Sequence, residues 1–339
     1  MHGPEWRPPA SWRRVTTIDA HAAGEPLRVI LSAEPIPGRT IVEKRRYARE
    51  RLDRLRTSLL FEPRGHADMY GAIPTEPVTP DGDLGVLFLH NEGWSTMCGH
   101  GIIALTTVLI ETGIQAWRDE LRIDSPAGRI VARPKRAGDR VSSVAFENVP
   151  SFAYALDETV DVPGLGPVRY DLAFGGAFYV YVNAADVGLE LTAERYRDLI
   201  EIGMRIKRAV MSSREARHPF EPELSFLYGT IFVGPALGDG ANSRNVCVFA
   251  EGEVDRSPTG TGVSGRVAIE HARGRLRNGE PFVVESIIGT RFTGRALRDT
   301  TFGPHSAVVP EIEGSAWITG RNEFWLAPDD PLAAGFILR

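Results

Sequence analysis

Residues 97–113 read Met97-Cys98-Gly99-His100-Gly101-Ile102-Ile103-Ala104-Leu105-Thr106-Thr107-Val108-Leu109-Ile110-Glu111-Thr112-Gly113. A cysteine and two glycines lead into an almost unbroken apolar run. The pattern predicts a turn and then a buried helix over Gly101–Thr112, closed by Gly113. The first N–H groups of such a helix lack intrahelical partners, and the helix dipole places partial positive charge there. That end is suited to a carboxylate, and it favours the thiolate of a cysteine beside it. A buried structural cysteine ahead of a helix is the plainer reading of the same residues.

The pattern returns in the second half. Asp255-Arg256-Ser257-Pro258-Thr259-Gly260-Thr261-Gly262 is another turn into a helix, read over Gly262–Arg273. Downstream the register holds: Ser125 follows Cys98 by 125 − 98 = 27, and Ser286 follows Thr259 by 286 − 259 = 27. Gly128 and Gly289 each follow the same anchors by 30 (128 − 98; 289 − 259). Three matches in one register imply a duplicated domain with pseudo-two-fold symmetry. The two turns would then face each other across an interdomain cleft and stabilise the charge of a carboxylate and of an α-carbanion. Asp255, Ser257 and Thr259 are also good caps, so a simply well-capped turn fits them too.

Around these anchors, strand-like and helical runs alternate. Val15–Ile18 and Leu27–Ser32 read as strands around a loop, His21–Pro26. Ile41–Leu60 reads as one exposed helix, its basic stretch Lys44–Arg56 a solvated face. Leu84–His90, Arg129–Arg133, Val141–Phe146, Leu172–Asn183, Asn245–Ala250, Ala307–Val309 and Ala316–Thr319 read as strands, and Ala193–Val210 as a helix.

The 339 residues suffice for two domains. A formal charge of −5 supplies no basic field, which argues against nucleic acid as a partner. No run is long and apolar enough to span a bilayer, and Met1–Arg14, polar and Pro-rich, lacks the apolar core of a signal peptide. It reads as an arm ahead of the first strand. Two isolated cysteines, Cys98 and Cys247, suit a reducing cytoplasm.

Taken together, the motifs resemble the proline racemase family, which includes hydroxyproline 2-epimerases and trans-3-hydroxy-L-proline dehydratases. They are Asp19-Ala20-His21-Ala22-Ala23-Gly24-Glu25-Pro26, Pro63-Arg64-Gly65-His66-Ala67-Asp68-Met69, the Cys98 turn, Phe174-Gly175-Gly176-Ala177-Phe178, Arg244-Asn245-Val246-Cys247-Val248, the Asp255–Gly262 turn and Pro310-Glu311-Ile312-Glu313-Gly314. The resemblance implies an α+β fold of two pseudo-symmetric α/β domains of the diaminopimelate-epimerase type, with the active site between them. After an arm over 1–14, the first domain would take residues 15–150 and a C-terminal return over about 315–339; the second would take 151–314. No metal and no organic cofactor are implied, and a homodimer is.

In racemases and epimerases of this family two cysteines flank the α-carbon. The first matches Cys98; the second position holds Thr259, a departure from the pattern. A threonine hydroxyl is too weak an acid to serve as the second base unaided. A Cys/Thr pair is similar to the dehydratase branch, where Cys98 would remove the Cα proton of trans-3-hydroxy-L-proline, water would leave from C3, and the enamine would tautomerise to Δ1-pyrroline-2-carboxylate. By the same carry-over, Gly99 and His100 hold substrate beside Cys98, Gly260 and Thr261 cradle the carboxylate, and Asp255 meets the ring nitrogen. Two other readings stay open: hydroxyproline epimerisation or proline racemisation, and a non-catalytic binder of cyclic imino acids.

Other residues read more plainly. Cys247 lies in the apolar run Val246–Phe249 and reads as a buried strand cysteine. His21 with Asp19, and His66 with Asp68, read as loop braces rather than metal ligands, since no third ligand has suitable spacing. Gly175-Gly176 reads as a site of close strand packing rather than phosphate binding; Phe61, Met69 and Tyr70 could line the pocket, though residues of this kind are more often core.

Overall fold

A computed structural model describes residues 6–338; the call of an arm over 1–14 falls in part, at residues 1–5, outside them. In chain order the first half contains β1 (Arg13–Ala22), β2 (Glu25–Ile30), α1 (Ile41–Arg51), α2 (Asp53–Leu60), β3 (Tyr70–Thr75), β4 (Leu84–His90), β5 (Gly93–Trp94), α3 (Gly99–Glu111), β6 (Leu121–Ser125), β7 (Gly128–Ala137) and β8 (Arg140–Glu147). The second contains β9 (Phe152–Val162), β10 (Gly166–Phe174), β11 (Phe178–Asn183), α4 (Tyr196–Ser213), β12 (Leu227–Gly234), β13 (Ser243–Phe249), β14 (Glu253–Val254), α5 (Gly260–Ala272), β15 (Phe282–Glu285), β16 (Arg291–Phe302), β17 (His305–Gly314) and β18 (Ala316–Leu326).

The strand pairings repeat between the halves. β1 with β2 and β10 with β11 are antiparallel, while β2 with β3 and β11 with β12 are parallel. β4 pairs parallel with β6, as β13 does with β15. The spacing between Cys98 and Thr259 is 259 − 98 = 161, and α3 shifted by 161 covers the same residues as α5. β9, which opens the second half, pairs with β10, and the last strand, β18, returns to the first half to pair with β1. β8 and β17 pair antiparallel and join the halves. The architecture is α+β, two pseudo-symmetric halves each wrapped around one helix.

α3 is buried because it is apolar all round; α5 is buried with its two charges, Arg266 and Glu270, paired. α3 is buried from Gly99 to Leu109, and most of α5 likewise. One continuous apolar core runs through both halves, and a smaller one lies under α1 and α2.

Several elements differ from the sequence reading. The loop His21–Pro26 is a tight hairpin: Ala23 (φ 53°) and Gly24 (φ 95°) make the turn, and His21 Nδ1 accepts the Gly24 N–H at 3.2 Å. Ile41–Leu60 is two helices, broken at Leu52 (φ −116°, ψ 7°), where Asp53 turns its carboxylate to Arg56 and the Trp94 indole. Its basic face is not solvated throughout. Lys44, Arg45 and Arg56 are buried, with their charged ends on the carbonyls of Glu76, Trp94 and His90. Leu172–Asn183 is two strands divided at Gly175–Ala177. A side chain on Gly175 would collide with the backbone of Thr261 and Gly265, so the close approach there is to α5 and not to a strand.

Candidate active site

The N-termini of α3 and α5 touch backbone to backbone. A Cβ on Gly99 would sit 2.5 Å from the Cα of Gly260, and one on Gly260 2.6 Å from the Cα of Gly99. Only glycine permits this approach. Beside the contact lies a nearly closed pocket of about 20 Å³, room for about one water. Cys98, Gly99, His100, Asp255, Thr259, Gly260 and Thr261, the seven residues singled out in the sequence, all line it. Strands deliver four more, Tyr70, Tyr179, Tyr228 and Phe249, and the segment just before α3 delivers Met97. Of Phe61, Met69 and Tyr70, only Tyr70 lines this pocket. A wider surface cleft between β10 and α5 contains Asp171, Arg266, Glu270 and Arg273, whose charges are paired with one another.

Cys98 caps α3 and is only 4% exposed. Its Sγ accepts the Gly101 N–H at 3.2 Å and lies 3.2 Å from His100 Nδ1 and 3.6 Å from Nε2. Burial pushes the thiol well above its ordinary pKa; the Gly101 N–H opposes this, and nearby Asp255 adds to it. The helix N-terminus favours the thiolate, as the sequence reading has it, and burial opposes it. Burial likewise lowers the pKa of His100, against the pull of Asp255 and a hydrogen bond to the Pro26 carbonyl, which favours a neutral imidazole beside the thiol.

The opposite end is built from a chain of local bonds. Asp255 donates its N–H to the Cys247 carbonyl at 3.1 Å and accepts the Ser257 N–H on Oδ1 at 2.7 Å. Ser257 Oγ accepts the Thr259 N–H at 3.1 Å. Thr259 has φ 67° and ψ 95°, a rare conformation for a β-branched residue. Although it occupies the cap position of α5, its side chain makes no capping bond; its buried hydroxyl lies against the Cys247 thiol. Thr261 Oγ1 meets the Tyr179 hydroxyl at 2.8 Å. The backbone N–H groups at the starts of α3 and α5 converge here, which is the donor set for a carboxylate.

Cys247 lies buried on β13 behind this turn, its thiol pushed up by burial and by Asp255. Asp19 holds Arg28 at 2.7 Å, and Asp68 holds Arg256 at 2.9 Å and the Tyr196 hydroxyl at 2.9 Å. Among the described residues no three His, Cys, Asp or Glu side chains are grouped as metal ligands, and no helix is long and apolar enough to cross a membrane.

The sequence profile of proline racemase matches residues 17–337. The chain belongs to the proline racemase family. It is 44% identical to a trans-3-hydroxy-L-proline dehydratase of Colwellia psychrerythraea, with 99% of this chain and 96% of that protein covered. A 3-hydroxyproline 2-epimerase of Burkholderia multivorans is 46% identical over 96% of this chain and 99% of its own length. Among solved structures, a hydroxyproline epimerase from Agrobacterium vitis with bound trans-4-hydroxy-L-proline superposes with a TM-score of 0.91 at 31% identity, covering 97% of this chain and 96% of that one. The superposition shows that the two share one fold.

Proposed function

We propose that the enzyme dehydrates trans-3-hydroxy-L-proline to Δ1-pyrroline-2-carboxylate. The observation that carries this reading is the pairing of one thiol, Cys98, with one hydroxyl, Thr259, at the two facing helix N-termini. Removal of the Cα proton needs one base. Delivery of a proton to the opposite face needs a second acid that a threonine does not supply.

The geometry supports a balanced sequence. The substrate carboxylate sits on the N–H groups of Gly260 and Thr261, and Asp255 faces the ring ammonium. Cys98 passes its proton to neutral His100, 3.2 Å away, and the thiolate takes the Cα proton. The Cα–H electron pair forms the Cα=C3 bond as the C3–O bond breaks. The departing hydroxide takes the proton from His100 and leaves as water. Cys98 and His100 return to their starting states, and the enamine tautomerises to the imine. Thr259 lines the same pocket, and its hydroxyl can accept from or donate to the ring or the leaving hydroxyl.

Cys98 and Thr259 are 4% and 5% exposed, so substrate entry requires the halves to part. In this reading, residues 15–150 with 315–339 form one lobe and residues 151–314 the other. The same reading places a homodimer in the cytoplasm, where free Cys98 and Cys247 stay reduced.

The test is to follow trans-3-hydroxy-L-proline by NMR in D₂O with the purified protein. Loss of substrate with growth of the cyclic imine is the expected outcome. Deuterium at Cα with inversion would instead support an epimerase, the reading favoured by the Burkholderia relative. Binding with no exchange would leave an imino-acid binder.

A further inference from the structure

Glu25 opens β2, directly after the Ala23-Gly24 turn, and its side chain is 0% exposed. It reaches from the first half into the second, where Oε2 accepts the backbone N–H of Arg256 at 2.7 Å. Among the described residues Oε1 has no hydrogen-bond partner. An ionised carboxylate offers about four lone-pair sites and, when buried, needs most of them satisfied. Glu25 is offered one N–H. The groups facing it are Asp255, Asp68 and Arg256, with the thiols of Cys98 and Cys247 also within its field. The one cation in this set is shared: the Arg256 guanidinium is bound to Asp68 at 2.9 Å and to the Val254 carbonyl at 3.0 Å.

We propose that Glu25 is a positioning residue of the active site, standing as a neutral carboxyl behind Asp255 and tying the Asp255–Ser257 turn to the first half. With Oε2 accepting from Arg256, the proton resides on Oε1. Asp255 is then the single carboxylate opposite the ring ammonium, and the turn that carries Asp255 is held at its Arg256 N–H. Burial, then the proximity of Asp255, raises the pKa of Glu25 well above the usual carboxylate range, in agreement with this geometry. Once ionised at alkaline pH, Glu25 adds a second anion near Cys98 and opposes formation of the thiolate. The kinetic part of this inference rests on the dehydratase reading; the protonation state does not.

Infrared difference spectra of ligand-free wild type against Glu25→Gln near neutral pH test the protonation state directly. A protonated-carboxyl band present in wild type and missing in E25Q is expected; a carboxylate band in its place overturns the proposal. In steady state, Glu25→Ala raises KM about tenfold through the lost Arg256 N–H bond. E25Q recovers most of that loss and, with no anion to oppose the thiolate, moves the rising alkaline limb of kcat/KM to lower pH. Should E25Q be as impaired as E25A, or its alkaline limb stay in place, the positioning role fails. If wild type turns over no 3-hydroxyproline, the dehydratase reading falls, and the infrared result alone decides the state of Glu25.

Discussion

The helix N-termini that meet at Gly99 and Gly260 are the same element in two halves, yet their cap residues are opposites. Cys98 lies in relaxed extended backbone (φ −144°, ψ 110°), and its sulfur caps α3 through Gly101. Thr259 is held at φ 67° with a hydroxyl that does not cap its helix and lies against the Cys247 thiol. One end places a thiol beside His100. The other keeps a strained residue with a hydroxyl against the same pocket. Backbone strain of this kind costs about 1–3 kcal/mol and persists where surrounding structure enforces it, commonly at functional sites. Here Ser257 enforces it, holding the Thr259 N–H. A symmetric fold thus supports an asymmetric reaction through two residues.

The harshest way to break the comparison is to remove the working end. Cys98→Ser is expected to lower turnover by roughly 10²–10⁴-fold while leaving the thermal midpoint close to wild type. A variant with most of its turnover would refute a single-thiol mechanism. Making the ends alike is the complementary test. Thr259→Cys is expected to add Cα epimerisation, seen as deuterium incorporation with inversion on chiral chromatography. Absence of inversion would mean that the second end is shaped wrongly for a base, whatever its chemistry.

Thr259→Gly separates strain from chemistry. Relief of about 1–3 kcal/mol of strain is set against the loss of two buried carbons, about 0.8 kcal/mol each, and the added backbone freedom of glycine, about 0.5–1 kcal/mol. The variant should therefore unfold near the wild-type denaturant midpoint while dehydrating about tenfold more slowly, for want of one hydrogen bond. Lower stability with full activity would show that the conformation is structural and the hydroxyl idle.

These contrasts mark what the sequence could and could not reveal. The helix α5 and its partner α3 were legible because both carry a small-residue turn before an apolar run, in one register. The seven pocket residues followed from those turns. The pocket walls from Tyr179, Tyr228 and Phe249 were not, because long-range strand pairing brings them in and each looks like core locally. Nor was the burial that opposes the Cys98 thiolate, which depends on how much water the whole fold excludes. Buried Arg56 was misread with its helix because its carbonyl partners at His90 and Asn91 lie more than thirty residues away. The hairpin at Ala23 escaped because an alanine takes positive φ there.

The Cys98 end also predicts a pH profile. With the thiol raised by burial, the thiolate fraction grows with pH, so kcat/KM should climb beyond about pH 8, near the ordinary cysteine pKa. A profile already flat there would mean that the helix N-terminus had won after all.

The smallest effect concerns the support of the Thr259 end. The folded pKa of Glu25 lies above its unfolded value of about 4.5. Its proton-linked stability is therefore intact below that value and is lost as pH rises through the folded pKa. Glutamine carries no such proton. The stability of E25Q relative to wild type should accordingly improve as pH rises from about 5 to 9, whatever its absolute sign, and urea midpoints across that range measure it. A difference that does not move with pH would mean that Glu25 has the same charge folded and unfolded. Asp255 would then share its surroundings with a second anion, and the asymmetry of the site would have to rest on Cys98 and Thr259 alone.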